Sequence, residues 1–307
     1  MEITPKIQEL LQRLEEKYQM EGQQMETYLE GLVYNNYLDY WDYIHLEALI
    51  NLQHPRTDIP DENIFIIYHQ ITELYFKLSL LEIDQILKHP KLDALYFTAK
   101  LKRLIAYFTN LTHSFEIMVN GMAPEQFLKF RLSLLPASGF QSVQYRMIEI
   151  ASTDMINLVE HPFRSECAVK NSSEQYEFIY WKKGATDAAS GKKTLTLRRF
   201  EEKYKEQLTS LAKHHEGHNL YAKFKSLSAD EQSNPALLAA LKEYDGLVNV
   251  HWPNVHLKSA GRYLAKPGKA IAATGGTNWE SYLPPKIQRR VFFPSIWDEQ
   301  ELENWGK

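Results

Sequence analysis

Apolar residues recur at helical spacing in several long stretches of the chain, and this periodicity predicts helices there. The first helix is predicted from Thr4-Pro5 to about residue 18, because a capping residue precedes a proline at the first helical position. Its apolar positions form one stripe, which consists of Ile7, Leu10, Leu11 and Leu14. Such a stripe must be covered, so we expect residues 1–30 to lie at a subunit interface.

A long helix is predicted to begin with Asp61 as its cap and to end before Pro90, because a residue before proline leaves the helical conformation. Its apolar residues occur on all sides, which is the pattern of a central helix. A further helix is predicted from about residue 92 to residue 120, with one buried stripe and with Gly121 as its C-terminal cap.

The stretch 127–146 predicts an amphipathic helix that is interrupted by a shaped corner. Leu135 precedes Pro136 and is pushed out of the α region, and the helix restarts after Ser138-Gly139. Arg131 lies before this corner, where its planar five-donor fork could bind a carboxylate. The alternative is a surface arginine beside an ordinary helix corner, and the local pattern alone favours that alternative.

The character of the chain changes between residues 152 and 204. Two β-prone runs, 177–181 and 194–197, are joined by a loop that contains glycines. Residues 170–200 are therefore predicted to be a small peripheral β-hairpin or a loop insertion. We expect residues 1–307 to form a single helical domain around it.

Composition and charge exclude several classes of protein. Of 307 residues, 44% are hydrophobic and 12% are aromatic, which is ample for a buried core. The 35 basic and 39 acidic residues give a net charge of -4, which provides no electrostatic footprint for nucleic acid or for a membrane surface. The single cysteine, Cys167, excludes an internal disulfide, and the first 25 residues lack the apolar core of a signal peptide. We therefore expect a cytoplasmic protein without membrane spans.

Histidines in two places are candidates for chemistry. His69 lies four residues after Phe65 and shares a helix face with it, although a lone histidine on such a face is more often a core residue. His214, His215 and His218 suggest zinc, yet the sequence HHEGH lacks the HExxH order and a closing ligand. A solvated helix face is the expected structure of that cluster.

The segment around Trp252 contains two further histidines, His251 and His256. Pro253 removes a helical hydrogen bond, so a kink is expected near Asn249. Such a kink could shape a cofactor cavity, and imidazole is a common axial ligand of haem iron. The residues by themselves leave either histidine open as the ligand.

Four segments, which follow one another in the family's order along the chain, together resemble the tryptophan 2,3-dioxygenase family of haem enzymes. The longest consists of Phe130-Arg131, the run Pro136-Ala137-Ser138-Gly139-Phe140-Gln141-Ser142, then Gln144 and Arg146. The others are Tyr40-x-x-Tyr43-x-His45-Leu46-Glu47, Phe65-Ile66-Ile67-x-His69-Gln70, and Trp252-x-x-x-His256 followed by Arg262. The resemblance extends from about Tyr40 to Gly276 and leaves out the 170–200 region.

The resemblance implies an all-helical subunit that binds haem b and assembles as a homotetramer. The family's reaction inserts O2 across the indole C2–C3 bond of L-tryptophan and gives N-formylkynurenine, the compound that opens the kynurenine pathway. His256 would be the axial ligand of the haem iron, and the residues beside the cofactor would be Trp252, Gly275 and Gly276.

The same resemblance assigns the substrate pocket. His69 would hydrogen-bond the indole N–H and act in catalysis, Arg131 would hold the substrate carboxylate, and Thr274 would hold the ammonium group. The pocket would be lined by Phe65, by Ser138 near the haem, and by Tyr40 from an adjacent subunit. Tyr37 is an offset alternative to Tyr40, because Tyr34-x-x-Tyr37-Leu38 repeats part of the pattern.

The sequence departs from the family's pattern in two places. Pro253, Asn254 and Val255 replace basic residues, and Ala273-Thr274-Gly275-Gly276-Thr277-Asn278-Trp279 replaces Gly-Thr-Gly-Gly-Ser-Ser-Gly. Trp279 alters the expected pocket, which leaves open the monooxygenation of another indole or aromatic amino acid. Two further hypotheses are a non-catalytic haem or amino-acid binding protein on this scaffold and a purely structural helical bundle.

Overall fold

The computed structural model describes residues 3–20, 22–35, 38–137, 139–187, 190–266, 269–270 and 283–307. Backbone contacts divide the chain into two compact units, Met1–Gln53 and His54–Lys307. A single functional domain over residues 1–307 stays a prediction.

The unit Met1–Gln53 is helical, with α1 (Pro5–Met20), α2 (Met25–Val33), α3 (Tyr40–Tyr43) and α4 (Leu46–Ile50). Helix α1 begins where the sequence predicts it, and Thr4 Oγ1 accepts a hydrogen bond from the Ile7 backbone N–H at 3.4 Å. No described residue of α1 or α2 is buried. In the apolar stripe of α1, Ile7, Leu10 and Leu14 are exposed and Leu11 is half-buried, and burial of the stripe at a subunit interface stays a prediction.

The unit His54–Lys307 consists of helices joined by short turns. Its α-helices are α5 (Asp61–Lys88), α6 (Ala94–Ser114), α7 (Glu116–Asn120), α8 (Pro124–Phe130), α9 (Val143–Ser152), α10 (Met155–Leu158), α11 (Arg164–Cys167), α12 (Ser172–Gln175), α13 (Leu195–His214), α14 (Leu220–Lys225), α15 (Ala229–Gln232), α16 (Pro235–Gly246), α17 (Trp252–Leu264), α18 (Pro285–Gln288) and α19 (Glu299–Glu303). Short 3-10 turns span Arg131–Leu134, Gly139–Gln141, His161–Phe163, Tyr176–Phe178, Tyr180–Ala185 and Pro294–Ile296, and a π-turn spans Leu247–His251. Two short strands, β1 (Ala265–Lys266) and β2 (Lys269–Ala270), pair antiparallel.

The core of this unit lies where α5 packs against α6 and α9, and where α6 packs against α16. One face of α6 is fully buried at the spacing of helical turns, and it consists of Phe97, Leu101, Leu104 and Phe108. The predicted all-α fold class is confirmed. Among the helices that the structure describes, none combines the length and the apolarity of a membrane span.

Helix α5 packs into the core as the predicted central helix, but only part of its surface is buried. Its buried face includes Tyr68, Phe76 and Ile83. A second apolar stripe on the same helix is exposed, and its members are Ile67, Ile71, Leu74, Leu78 and Leu81. A helix that is apolar all round buries only the faces that neighbouring helices cover.

Two helix ends differ from the sequence-based prediction. Pro60, not Asp61, precedes α5, and the Asp61 carboxylate instead accepts a hydrogen bond from the Ala123 backbone N–H at 2.6 Å. The helix predicted over residues 92–120 consists of α6 and α7, which are separated at Phe115. Gly121 follows α7 as predicted, at a point where a Cβ atom would lie 2.5 Å from the Ile117 carbonyl oxygen.

Residues 170–200 follow the predicted loop alternative and not the hairpin. The described β pairing there is limited to isolated bridges, Thr186 with Lys193 and Val159 with Ile179. The run predicted as a strand at 177–181 forms 3-10 turns, and Tyr180 and Trp181 within it are buried. Aromatic residues are common in buried positions as well as in strands, so the aromatic composition of this run led to the wrong prediction of a strand.

Candidate functional site

Helix α5 presents Phe65 and His69 on one face. His69 Nδ1 lies 2.7 Å from the Phe65 backbone oxygen, and the two rings are 4.1 Å apart. Because a carbonyl oxygen only accepts, Nδ1 carries the hydrogen, and the neutral ring keeps its Nε2 lone pair for another partner. Desolvation by surrounding protein atoms lowers the pKa of His69. The side chain is nevertheless exposed, so contact with water limits this lowering of the pKa. At neutral pH His69 Nε2 is therefore a hydrogen-bond acceptor.

Arg131 begins the 3-10 turn that directly follows α8. Phe127 and Phe130 on α8 pack against Phe65, with ring centroids 6.4 and 5.8 Å apart. These contacts bring the start of the turn beside the α5 face that carries His69. The Arg131 side chain is buried, with 6% of its surface exposed, and burial lowers the pKa of the guanidinium, which stays charged. The alternative of a surface arginine is therefore wrong.

The corner that follows this turn has the predicted form. A cis peptide bond precedes Pro136, and the 3-10 turn Gly139–Gln141 leads into α9. The corner is tied to α9 because Arg146 Nε donates to the Phe140 backbone oxygen at 3.2 Å. Ser138, which was predicted to line the pocket here, lies outside the described residues.

A buried network of ion pairs and hydrogen bonds also holds α9 in place. Arg146 donates to Glu149 Oε2 at 2.6 Å, and Arg290 donates to Glu149 Oε1. Tyr180 donates its hydroxyl hydrogen to Glu149 Oε1 at 2.6 Å and accepts from Arg146 at 2.7 Å. Two arginines thus share one carboxylate in a place that water does not reach.

Tyr145 extends this network to the segment before α17. It accepts a hydrogen bond from Arg290 at 3.1 Å and donates one to the Val248 backbone oxygen at 3.0 Å. Val248 belongs to the π-turn Leu247–His251, so the network connects the corner at residues 136–141 with that turn.

The π-turn is the structural form of the kink predicted near Asn249. The Trp252 N–H bonds to the Leu247 carbonyl oxygen, five residues back, so the helix accommodates one extra residue. Pro253, which has no N–H to bond back along the helix, is the second residue of α17 and directly follows this irregular turn. Helix α17 continues regularly from there to His256 and beyond.

His256 repeats the arrangement of His69. Its Nδ1 lies 2.9 Å from the Trp252 backbone oxygen, and the rings of Trp252 and Phe115 lie 4.4 and 4.3 Å from its own. Burial lowers the pKa of His256 to about 4, the Trp252 carbonyl opposes this shift, and His69 adds to it. The ring is therefore neutral at pH 7, with its hydrogen on Nδ1 and its Nε2 lone pair available to a metal.

Aromatic rings join the two histidines. Phe115 contacts both His256 and Tyr68, and the Tyr68 ring lies 5.7 Å from Phe115 and 6.5 Å from His69. The structure thus brings together residues that the sequence predicted separately, on helices α5 and α17. Trp252 is buried and packs edge-on against His256, so it orients that ring, and its contact with a cofactor stays a prediction.

Of the other predicted site residues and their alternatives, the structure describes Tyr40 and His251. Tyr40 begins α3 in the unit Met1–Gln53 and is 71% exposed. His251, the alternative to His256, is exposed at the end of the π-turn. The residues predicted to lie on the loop near the substrate and the cofactor are outside the described residues, as is the alternative tyrosine: Thr274, Gly275, Gly276, Trp279 and Tyr37.

The histidines at the end of α13 do not form a metal centre. The rings of His214, His215 and His218 have centroids 5.1 to 6.5 Å apart. Within the described parts of the chain, however, no group of three His, Cys, Asp or Glu side chains could hold a metal ion. His215 Nδ1 donates to the His218 backbone oxygen at 2.8 Å, which gives the cluster a structural role.

Sequence reasoning missed the buried ion network around Glu149. One signal was present, because Arg146 and Glu149 are three residues apart and share a helix face. Arg290 and Tyr180 gave no signal, since they lie 141 and 31 residues from Glu149 along the chain.

Proteins of one named family resemble this chain. The family model described as Tryptophan 2,3-dioxygenase matches residues 30–161. A tryptophan 2,3-dioxygenase of Polaromonas sp. (strain JS666) is 30% identical over 276 residues, which cover 85% of this chain and 86% of that protein. Proteins of the same name from Ruegeria sp. (strain TM1040) and Shewanella woodyi are each 38% identical, over 115 and 117 residues.

The last two matches cover 36% and 38% of this chain and 40% and 41% of the relatives, so the aligned part spans about two fifths of those proteins. The match to the Polaromonas protein extends over most of both chains. The chain therefore belongs to the tryptophan 2,3-dioxygenase family.

Proposed function

We propose that this chain is a haem-dependent dioxygenase that cleaves the indole C2–C3 bond of L-tryptophan with O2 and gives N-formylkynurenine, within tryptophan catabolism through the kynurenine pathway. The observation that carries the proposal is the pair of neutral histidines. His69 and His256 each donate Nδ1–H to a carbonyl of their own helix and keep Nε2 for a partner from outside it. One Nε2 can accept a hydrogen bond from an indole N–H, and the other can bind iron. The relatives named tryptophan 2,3-dioxygenase support the same reaction.

The residues around His256 fit haem b. An imidazole that binds iron has to be neutral, and its second nitrogen is usually held by a carbonyl or carboxylate that fixes the tautomer. Both conditions hold for His256, and the rings of Phe115 and Trp252 provide an apolar surrounding. Bound haem would supply the iron centre that binds and activates O2. Gly275 and Gly276 are proposed beside the cofactor because the sequence resembles the family there.

The chain's own residues would bind and orient the amino acid. The buried guanidinium of Arg131 offers parallel N–H donors to the substrate carboxylate. Phe65 would pack along the indole ring, and His69 Nε2 would accept the indole N–H. Three contacts at different points of one ligand fix its position and its rotation, which is the contribution that positioning makes to rate.

Further pocket residues are proposed from the resemblance. Thr274 would hold the substrate ammonium group and Ser138 would line the pocket near the haem. Tyr40 would reach the pocket of an adjacent subunit, and its exposure on α3 is compatible with that role.

We also propose that the protein is a homotetramer and cytoplasmic. Support for assembly comes from the exposed stripe of α5, whose five apolar residues recur every three or four positions, as in helices that pack on another helix. Most of the stripe of α1 is exposed in the same way. One cysteine, Cys167, is compatible with a reducing compartment.

An absorption spectrum tests the function directly. The protein is expressed with haem supplied, and the spectrum is recorded before and after reduction, after anaerobic addition of L-tryptophan, and after admission of air. The expected result is a histidine-ligated haem spectrum that responds to tryptophan, followed by the absorbance of N-formylkynurenine. A product that carries one added oxygen atom would establish monooxygenation instead. Haem without turnover would indicate a binding protein, and absence of haem would refute the proposal.

A further inference from the structure

The loop before α5 is fastened to the first turn of that helix by Glu62. The Glu62 side chain is buried, and its Oε1 accepts from the Arg56 backbone N–H at 2.8 Å. Its Oε2 accepts from the Thr57 backbone N–H at 2.8 Å and from the Thr57 hydroxyl at 2.6 Å. Burial by itself would raise the pKa of Glu62, but these hydrogen bonds outweigh it and lower the pKa. The Glu62 carboxylate is thus charged, and it holds the backbone of Arg56 in place.

The Arg56 side chain reaches from this loop to the turn that carries Arg131. Its guanidinium donates to the Ser133 backbone oxygen at 2.5 Å, across 77 residues of sequence. In a 3-10 turn the Ser133 carbonyl would normally accept from the N–H three residues later. That residue is Pro136, which has no N–H, and the next N–H, of Ala137, donates to Leu134 instead. Arg56 therefore supplies the donor that the proline removes.

Helix α8, which leads into this turn, is fastened to α5 at its start. The Asp61 carboxylate accepts from the Ala123 N–H at 2.6 Å, and Gln126 Oε1 accepts from the Asp61 N–H at 3.2 Å. These two bonds fix the start of α8, and the Arg56 bond fixes the turn that follows α8. The backbone of Arg131 lies between the two attachments, on the side of α5 that carries Phe65.

We propose that Arg56 is a positioning residue for the Arg131 guanidinium, and that it thereby determines how well the enzyme recognises the carboxylate of its amino-acid substrate. The inference rests on the proposed function, because it assumes that Arg131 binds this carboxylate. Arg56 is itself exposed and donates to the Ser133 backbone of the turn, so its proposed effect on the ligand passes through Arg131.

The test compares Arg56→Ala with the wild type and with Arg198→Ala, which removes another exposed arginine on α13. Binding to the haem-loaded protein is measured by isothermal titration calorimetry with three ligands: L-tryptophan, its deaminated analogue, which keeps the carboxylate, and its decarboxylated analogue. Arg56→Ala should weaken the two carboxylate ligands roughly three- to tenfold, as the loss of one exposed charge-assisted hydrogen bond implies. The decarboxylated amine should bind as in the wild type, and Arg198→Ala should change none of the three.

Two further variants separate positioning from general stability. Arg56→Lys keeps a cationic donor and should recover most of the lost affinity. In an Arg131→Ala background, Arg56→Ala should add no further loss of carboxylate binding, because the group it positions is gone. KM for tryptophan should rise with the dissociation constant, while kcat stays within about twofold.

The results distinguish this inference from the proposed function. If the wild type binds neither haem nor tryptophan, both the proposed function and the inference about Arg56 are refuted. If the wild type binds both and Arg56→Ala binds all three ligands unchanged, the inference about Arg56 is refuted and the function stands. An equal loss for all three ligands, with or without the carboxylate, would also refute it, because Arg56 would then have only a structural role.

Discussion

The buried ion network around Glu149 leads to the most specific prediction about stability. Glu149 is the only carboxylate that Arg146 and Arg290 contact in the described structure, and the exposed fractions of these side chains are 0%, 6% and 2%. Glu149→Gln keeps the shape of the side chain but removes its charge. Both guanidiniums then stay charged and buried, with a neutral amide in place of their shared partner.

The expected cost follows from the burial of the pair. Removing one partner of a buried ion pair costs about 3 to 5 kcal/mol, because the remaining charge is neither solvated nor neutralised. Two arginines depend on Glu149, so the upper part of this range is expected. Since whole proteins are stable by about 5 to 15 kcal/mol, the variant should lose a large share of its stability.

Urea denaturation of the haem-loaded protein, at one fixed protein concentration, measures this loss. The chain contains a matched control, because Arg199 and Glu202 on α13 form the same pair three residues apart, at 3.5 Å, with exposed fractions of 67% and 63%. Glu202→Gln should cost less than about 1 kcal/mol, as exposed pairs do. If Glu149→Gln costs no more than Glu202→Gln, the argument that this carboxylate compensates two buried charges is refuted.

Three other changes give equally direct results. Arg131→Ala should raise the dissociation constant for L-tryptophan about 10- to 100-fold without loss of haem, and unchanged calorimetric affinity would remove Arg131 from the site. His256→Ala should abolish the haem absorbance band and the exposed His251→Ala should keep it; the reverse would reassign the ligand. Burial raises the pKa of Asp245 to about 6, from an ordinary value of 3.8. The folded state then holds the proton more tightly than the unfolded state between these values, so the free energy of unfolding should fall as pH rises through this window, by about 3 kcal/mol. Urea denaturation between about pH 4 and pH 7 should show this fall in the wild type relative to Asp245→Asn, because the difference between the two proteins isolates the Asp245 carboxyl.

Features that depend on neighbours within four residues were predicted from the sequence. The start of α1, the corner at Pro136 and the irregular turn before Pro253 all follow from the backbone chemistry of single residues. The face shared by Phe65 and His69 follows from helical spacing. The hydrogen on Nδ1 of His69 and His256 was not predicted, although its acceptor is local in each case, the carbonyl four residues back.

Contacts between distant segments could not be predicted in this way. The partners of Glu149 come from α9, from the turn Tyr180–Ala185 and from the C-terminal segment, and no spacing rule connects them. The stretch 177–181 shows the opposite failure, since a β-prone composition was overridden by packing into the core. The exposed stripe of α5 is a third case, because periodicity indicates apolar faces and does not indicate which of them a neighbour covers.

Pro136 has one effect that the sequence predicts and a second effect that only the three-dimensional structure shows. The sequence rule predicts that this proline ends the helical segment after Arg131, and the structure agrees. The missing N–H of Pro136 also leaves the Ser133 carbonyl without its usual donor. The sequence rule implies this loss but does not identify the group that replaces the donor. Only the fold reveals that Arg56 supplies the donor, because a loop fastened by Glu62 brings its guanidinium there. The residue that interrupts the helix therefore also creates the acceptor through which a distant arginine can hold the substrate-binding turn in place.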